Sequence, residues 1–455
     1  MKVTVLGTGY VGLVSGVCLA AKGHTVTCVD LRAEVVERLN RADSPIHERG
    51  LPDLLREVIA AGRFSASLDL AAALGNGDIV LVAVGTPSQD GRIDLSQVET
   101  AVRSVGILLR TRDRFLPVVI KSTVVAGTTD GLVRRALQES SGKSADEIGL
   151  GMNPEFLREG DAISDFMQPD RIVLGADDDR TAASLAELYA PWDCEKLAVN
   201  SRTAELIKYA NNALLATQIS AVNEIANLAA KLGGIDALEV MRGVHLDKRW
   251  SPSGADGSRI RPGILDYLLP GCGFGGSCFP KDLQALRSQG NSHGVPMHLL
   301  NAVLEVNADQ PSQVLALLQR HFDSLKGRRI LLLGLAFKPE TDDVRESASR
   351  QILAGLLAAG ARVTAHDPVA AENARRDWPE MSEVGVVADW RPEIDQADAV
   401  IVATRWPEYG ELRAAGAAGR LAGRAVVDAR RMFSAADFPG AAYLTIGYSP
   451  ISSRS

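Results

Sequence analysis

A run near the middle of the chain, GCGFGGSCFPKD from Gly271 to Asp282, sets one cysteine, Cys278, after Gly273, Gly275 and Gly276 and before a Pro-Lys-Asp turn. Glycine lets backbone approach a ligand closely and admits positive φ, so this thiol is expected on a loop that a substrate carbon can reach. A thiol attacks a carbonyl carbon as the thiolate and needs positive charge at hand; Lys281 is close in sequence. Cys272 lies in flanks that match no nucleophile pattern and is expected to serve packing. A second pair of polar groups, Lys208 and Asn212, is four residues apart in an otherwise mostly apolar stretch. Such spacing puts both side chains on one face of a helix.

A third constellation opens the chain. A β-branched run, KVTVLG, leads into Gly7-Thr8-Gly9-Tyr10-Val11-Gly12, then a small apolar helical stretch to Lys22, then TVTCVD ending at Asp30. This is the strand, Gly-x-Gly-x-x-Gly, helix, strand, acid order of a dinucleotide-binding unit. Gly7 makes the turn, Gly9 admits a pyrophosphate, and Gly12 packs helix on strand, with the helix N-terminus facing the phosphates. Asp30 suits the ribose hydroxyls of NAD; Arg32, two residues on, is placed to meet a 2′-phosphate and leaves NADP open, although an arginine there is more often a solvated loop residue.

These groups need a scaffold. Further apolar runs at 79–85, 118–123, 148–153 and 171–175 alternate with helical segments. That pattern predicts a parallel sheet covered on both faces, with ligands at the strands' carboxyl ends. Gly85-Thr86-Pro87, Ser122-Thr123 and Asn153–Gly160 fall at such ends. Ser201–Leu232 has no Pro or Gly, stops at Gly233-Gly234, and predicts one helix of about 45 Å. It suits a domain connector and a dimer core. Residues 250–268 read as a long loop, and a second α/β unit starts near Gln310-Pro311. Its strands are expected at 329–335, 361–366, 399–404 and 425–428, without a GxGxxG. Lys338, Arg345 and Arg430 lie at or past those strand ends, where basic residues suit an anionic ligand. The expected fold is α/β: two Rossmann-like doubly wound parallel-sheet domains (1–200 and 310–455) joined by a long central helix within a middle domain (201–309).

Composition bounds the function. The 455 residues are 46% hydrophobic and 23% charged, with formal net charge −7. That balance disfavours general binding to nucleic acid or an anionic membrane surface. Five scattered cysteines without metal-ligand spacing fit a reducing compartment and no zinc site. The chain opens directly on a strand and carries no apolar run of membrane-spanning length, so a cytoplasmic protein is expected.

From Met1 to about Phe433 the sequence resembles the nucleotide-sugar 6-dehydrogenases of the UDP-glucose/GDP-mannose dehydrogenase family. The resemblance rests on GTGYVG (7–12), VGTPS (84–88), KSTV (121–124), NPEFLREG (153–160), KYANNALLATQISAVNE (208–224), GFGGSCFPKD (273–282) and GLAFKPETDDVRES (334–347). It implies an NAD-dependent, four-electron oxidation of a sugar C6 hydroxyl to a carboxylate, UDP-glucose to UDP-glucuronate, by a cytoplasmic homodimer. Cys278 would form a thiohemiacetal and then a thioester. Asp282 with a bound water would act as general base, Lys208 and Asn212 would stabilise oxyanion charge, Thr123 would hold a catalytic water, and Glu155 would assist thioester hydrolysis. The cofactor would meet Gly7, Gly9, Tyr10, Val11, Gly12, Asp30, Arg32, Thr86, Thr123, Glu159, Cys278 and Arg345. The nucleotide sugar would meet Glu155, Phe156, Leu157, Glu159, Lys208, Asn212, Gly275, Phe279, Phe337, Lys338 and Arg430.

One stretch departs from the family pattern. Members usually carry an Arg-Ile-Gly segment shortly before the cysteine loop, whose Arg reaches the neighbouring subunit's substrate; here Ser258-Arg259-Ile260-Arg261-Pro262-Gly263 stands in its place. Arg259, Arg261 or neither takes that part. The same departure leaves dTDP-glucose open beside UDP-glucose, with GDP-mannose and UDP-N-acetylmannosamine as further alternatives. The FGGSCFPKD form favours the UDP-glucose branch.

Overall fold

The computed structural model describes residues 1–75, 77–89 and 91–450. The chain divides into two compact units, the first formed by Met1–Asn211 and Gln284–His293, the second by Asn212–Leu283 and Gly294 onward.

The first unit is built on an eight-stranded sheet. Its spatial order is Glu195–Val199, Arg171–Ala176, Leu150–Met152, Val118–Ile120, Ile79–Val82, Lys2–Leu6, Thr25–Val29 and Phe64–Ser67. Side-chain alternation explains the unbroken apolar runs. Val3, Val5, Ile79, Leu81 and Val119 pack into one core; Leu6, Val80, Val82, Val118 and Ile120 pack into another. A strand apolar at every position is one with both faces covered. Six strands are parallel, but Leu150–Met152 meets Arg171–Ala176 antiparallel, with Met152 opposite Gly175. The 171–175 run therefore joins the expected sheet with reversed direction, and Glu195–Val199 continues it as a largely exposed outer strand.

The second unit carries a six-stranded parallel sheet in the order Gly385–Val386, Arg362–His366, Arg329–Leu333, Ala399–Val402, Ala425–Asp428, Ala442–Thr445. Its core is one continuous cluster of buried aliphatic and aromatic side chains. The order 3-2-1-4-5-6 is that of a Rossmann-type sheet and repeats the arrangement of the first unit's parallel strands. The duplication extends to the first turn. Gly7 N–H donates to Val29 O at 2.8 Å, and Gly334 N–H to His366 O at 2.8 Å. In the second unit, however, Leu335 N–H and Ala336 N–H both donate to Asp367 Oδ2, at 2.7 and 3.0 Å. The amides that would face a pyrophosphate are committed to the protein's own carboxylate.

Ser201–Leu232 is one helix of 32 residues. A second long helix, His298–His321, runs through Pro311, where a unit boundary was expected. Proline removes one backbone donor and crowds the preceding turn, yet buried side chains on both sides of it, Gln310, Val314, Leu317 and Leu318, hold the helix together.

Candidate active site

In the first unit, the turn after strand Lys2–Leu6 enters helix Tyr10–Ala21 at Gly9 without a side-chain cap. The first-turn amides therefore stay available to an anion, at the end of the helix that favours negative charge. A Cβ at Gly12 would strike the carbonyl oxygen of Gly7, while one at Gly9 would meet nothing within 4 Å. That open space above exposed amides fits a dinucleotide pyrophosphate. Asp30, at the end of the next strand, accepts from Thr8 N–H at 3.1 Å and from the Thr8 hydroxyl. It also accepts from Arg32 N–H at 3.0 Å and Arg32 Nε at 3.1 Å. Burial opposes its charge, but these hydrogen bonds win and hold the carboxyl down at about 2. A fixed anion there suits ribose hydroxyls and repels a 2′-phosphate. Val11 is half-buried, and the Tyr10 hydroxyl donates to Glu48. The buried Glu48 in turn accepts from Gly160 N–H at 2.7 Å and Ala162 N–H at 2.9 Å. This carboxylate, unmarked by any sequence motif, ties the end of the 153–160 loop to the glycine turn. Half-buried Thr86 and Thr123 follow the strands Ile79–Val82 and Val118–Ile120, and Glu159 is half-buried on the loop.

The 153–160 loop meets the long helix through charge. Lys208 Nζ lies 2.8 Å from Glu155 Oε1, with both side chains at least nine-tenths buried, and Glu155 Oε2 accepts from Leu157 N–H at 2.7 Å. Burial raises the cost of ionising Glu155, but Lys208, the Leu157 amide and Lys121 together hold it below the usual carboxylate range. Phe156 is covered by the Arg171 guanidinium at 3.9 Å from its ring centre and by Lys208 Nζ at 5.7 Å. Behind them, buried Lys121 donates to Asn153 Oδ1 at 2.8 Å, and burial pulls its ammonium down to about 8.

Glu205, one turn before Lys208 and fully buried, is a further residue that no motif marked. Its carboxylate takes Gly127 N–H at 2.6 Å, Thr129 N–H at 2.8 Å and Thr129 Oγ1 at 2.7 Å. It thereby ties the segment following Thr123 to the helix that carries Lys208. Burial outweighs these donors and pushes Glu205 up to about 7. Above the ordinary carboxylate pKa, the folded state then holds a proton that the unfolded chain has released, so stability falls as pH rises from about 4.5 to 7. Glu205→Gln removes that slope, on the order of 3 kcal/mol. Chemical denaturation at pH 5 and pH 8 measures it; an equal pH dependence in both proteins would refute the assignment.

In the second unit, Asn212 and the cysteine loop converge on one carboxylate. Asp282, 1% exposed, accepts from Asn212 Nδ2 at 2.7 Å on one oxygen and from Lys281 Nζ at 2.7 Å on the other. Cys278 stands at the start of helix Phe279–Ser292, and its carbonyl accepts from Asp282 N–H at 2.8 Å. The thiol is half-exposed, with the Ser277 hydroxyl 3.5 Å from its sulfur. The end of a helix at which negative charge is favoured thus coincides with the thiol. Cys272 is in the core, and burial raises its thiol.

The glycines before Cys278 are required by close packing. Gly276 has φ +82, and a Cβ on it would press on the Phe337 ring at 2.7 Å; one on Gly275 would strike the carbonyl of Glu346. Gly276 N–H donates to Arg345 O at 2.9 Å, and Phe279 packs edge-on against Phe274 at 5.8 Å. Arg345 forms a two-point contact with Asp343 at 2.8 and 2.9 Å. Lys338 Nζ lies 5.9 Å from the Phe337 ring centre. Arg430 bridges three segments, donating to Gly273 O at 2.9 Å, Ala403 O at 2.8 Å and Phe337 O at 3.3 Å. Arg259 and Arg261 are engaged by nearby groups, in their own loop and at the end of the helix before it. The first donates to Leu246 O and Ser251 O at 2.8 and 2.9 Å, and the second pairs with Asp266 at 2.7 Å.

Comparison with known proteins matches each part of this arrangement. Residues 1–193 match the NAD binding domain of the UDP-glucose/GDP-mannose dehydrogenase family, 202–309 its central domain, and 331–435 its UDP binding domain. The UDP-glucose 6-dehydrogenase of Haloferax volcanii is 41% identical over 95% of this chain and 97% of its own length. That of Bacillus subtilis, TuaD, is 37% identical over 97% and 92%. The structure of a UDP-glucose dehydrogenase from Pyrobaculum islandicum superposes with a TM-score of 0.88 at 42% identity, covering 98% of each chain. With a glycine turn shaped for NAD in the first unit and a cysteine loop beside a buried carboxylate in the second, this chain belongs to the UDP-glucose/GDP-mannose dehydrogenase family.

Proposed function

We propose that the protein oxidises UDP-glucose to UDP-glucuronate, with Cys278 as covalent nucleophile. The observation that carries this reading is the set of groups around Asp282: a buried carboxylate with one charged and one amide donor, one helical turn from a half-exposed thiol. Two oxidations at one carbon need an intermediate that does not escape, and a thiol adduct meets that need.

Bound NAD supplies the hydride acceptor for both oxidations. Asp282, through a water on its free lone pairs, takes the C6 hydroxyl proton in the first step. Cys278 Sγ then bonds to the aldehyde carbon, and the oxygen of the resulting thiohemiacetal takes a proton. Loss of that proton and of the second hydride leaves a thioester. Water adds to it, the C–S bond breaks, and the thiolate and a carboxylate result. Lys208 and Asn212 face the developing oxyanions. Glu155, held ionised by Lys208, orients the attacking water, and Thr123 holds a water on the same path. Phe156, Leu157, Phe337, Lys338 and Arg430 frame the nucleotide sugar, and Thr86, Glu159 and Arg345 complete the cofactor's surroundings.

A three-part organisation, 1–200, 201–309 and 310–455, suits these roles. The middle part also supports a homodimer. Leu214, Ile225, Leu228 and Leu232 are exposed on one stripe of the long helix, a face that a second copy would cover; a monomer by sedimentation at micromolar concentration would sink this part. No described helix is long and apolar enough to cross a membrane, consistent with a cytoplasmic enzyme.

The substrate assignment is tested by initial rates of NADH formation with UDP-glucose, dTDP-glucose, GDP-mannose and UDP-N-acetylmannosamine. The expected kcat/KM for UDP-glucose exceeds each of the others by at least about tenfold, the discrimination that a few polar contacts provide. A higher value for another nucleotide sugar would replace the substrate and leave the chemistry standing.

A further inference from the structure

Arg405 lies just past strand Ala399–Val402, at the carboxyl edge of the second sheet. Strands Arg329–Leu333 and Ala399–Val402 are neighbours there, and the chain order turns back between them. In an open α/β sheet, ligands enter the crevice at this reversal. Arg405 directs a nitrogen at the backbone carbonyl of Arg430, so two arginines from adjacent strand ends stand together. Among the described residues neither guanidinium makes an ion pair. Arg430 spends its donors on the carbonyls of Gly273, Ala403 and Phe337. Arg405 Nε is buried with no hydrogen-bond partner.

Burial of a donor without an acceptor is costly, and two like charges side by side repel. Burial, reinforced by Arg430, weakens the hold of the Arg405 guanidinium on its proton, with Asp428 and Asp266 opposing. An anion with several acceptor oxygens relieves both costs at once. The same edge carries Lys338 after the neighbouring strand, so the positive charge is concentrated at the reversal.

We propose that Arg405 is a further binding residue for the nucleotide sugar, its guanidinium meeting the diphosphate of a nucleoside diphosphate. This rests on the nucleotide-sugar reading above and extends it to a residue that no motif marks. Arg405 is a specificity residue for charge: it distinguishes a diphosphate from a less charged or uncharged nucleoside.

The test is calorimetric titration of the full-length protein with UDP, UMP and uridine. Arg405→Gln is expected to weaken UDP binding about 10- to 100-fold, the loss for a charge-assisted contact. UMP should weaken less and uridine not measurably. The KM for UDP-glucose should rise by a similar factor. NAD affinity, set in the other unit, reports correct folding and should stay unchanged. If Arg405→Gln loses NAD binding as well, Arg405→Lys keeps the charge without the fork and should bind UDP with intermediate affinity. Equal UDP affinity in the unaltered protein and a folded variant overturns the assignment of Arg405 alone. Failure of the unaltered protein to bind UDP would overturn the substrate reading together with it.

Discussion

Cys278→Ser is expected to lower net formation of UDP-glucuronate by at least about a thousandfold, while NAD and UDP-glucose still bind. The side chain changes by one atom, so the loop keeps its shape. The glycines packed on Phe337 and Glu346 are untouched, and the Cys278 carbonyl still receives the Asp282 amide. The attacking atom is what is lost. A serine hydroxyl with an ordinary pKa offers little alkoxide, and an oxygen ester would leave less readily than a thioester. The first oxidation does not need the sulfur, so aldehyde released from a stalled cycle is the expected side product, trapped with a hydrazine reagent. Unchanged conversion in this variant would sink the covalent mechanism.

Lys208→Met has the second largest expected effect, and it reads out twice. Lys208 and Glu155 are an ion pair 2.8 Å apart, almost wholly out of solvent. Removing one partner of a buried pair costs about 3–5 kcal/mol because the other charge is left uncompensated. Removing a donor to a developing oxyanion lowers kcat by about 10²–10³-fold. The pH dependence follows from Glu155. In the unaltered protein its carboxyl lies below the usual range. The pair's stabilisation is therefore present above the ordinary carboxylate pKa and lost only as pH falls through that lowered value. In Lys208→Met, burial dominates and Glu155 takes up its proton at higher pH, so the stability deficit shrinks on acidification. The double variant Lys208→Met/Glu155→Gln should recover part of the stability and none of the activity. Denaturant midpoints at pH 5 and pH 8 with steady-state rates check both halves. A double variant no more stable than Lys208→Met would contradict the pairing.

The pair also shows how far the sequence carried. Lys208 and Glu155 each stood in a motif, as an oxyanion donor and as an aid to hydrolysis, yet 53 positions separate them in the chain. No spacing rule says that they neutralise each other; only the packing of the 153–160 loop on the long helix does. Local patterns were legible wherever the physics is local. The helix Ser201–Leu232 matched in full because it lacks breakers and ends at paired glycines, and the central strands announced themselves by apolar residues on both faces. Phe64–Ser67 and Glu195–Val199 escaped because outer strands are only partly covered and carry no such run. The reversal at Arg171–Ala176 escaped because strand direction leaves no mark on composition. The helix through Pro311 overrode a local breaker by tertiary burial. Glu48, Glu205 and Asp367 share one reason for being missed. Each acts through backbone amides of distant segments, and such partners have no sequence signature.

The second unit repeats the first in strand order and first-turn geometry, yet Asp367 fills the amides that Asp30 leaves partly open. Duplication of a dinucleotide scaffold with its anion cradle closed accounts for one NAD-type turn among the described residues. It leaves side chains at the strand ends, Lys338, Arg405 and Arg430, as the groups that the proposal assigns to anion recognition.

The most direct measurement of the central claim is the number of NADH formed per molecule of limiting UDP-glucose in excess NAD. Two per sugar, with UDP-glucuronate as product, is the result that a thiol-bound intermediate at Cys278 predicts. One per sugar, with the aldehyde released, would contradict it and remove the roles given to Cys278 and Glu155.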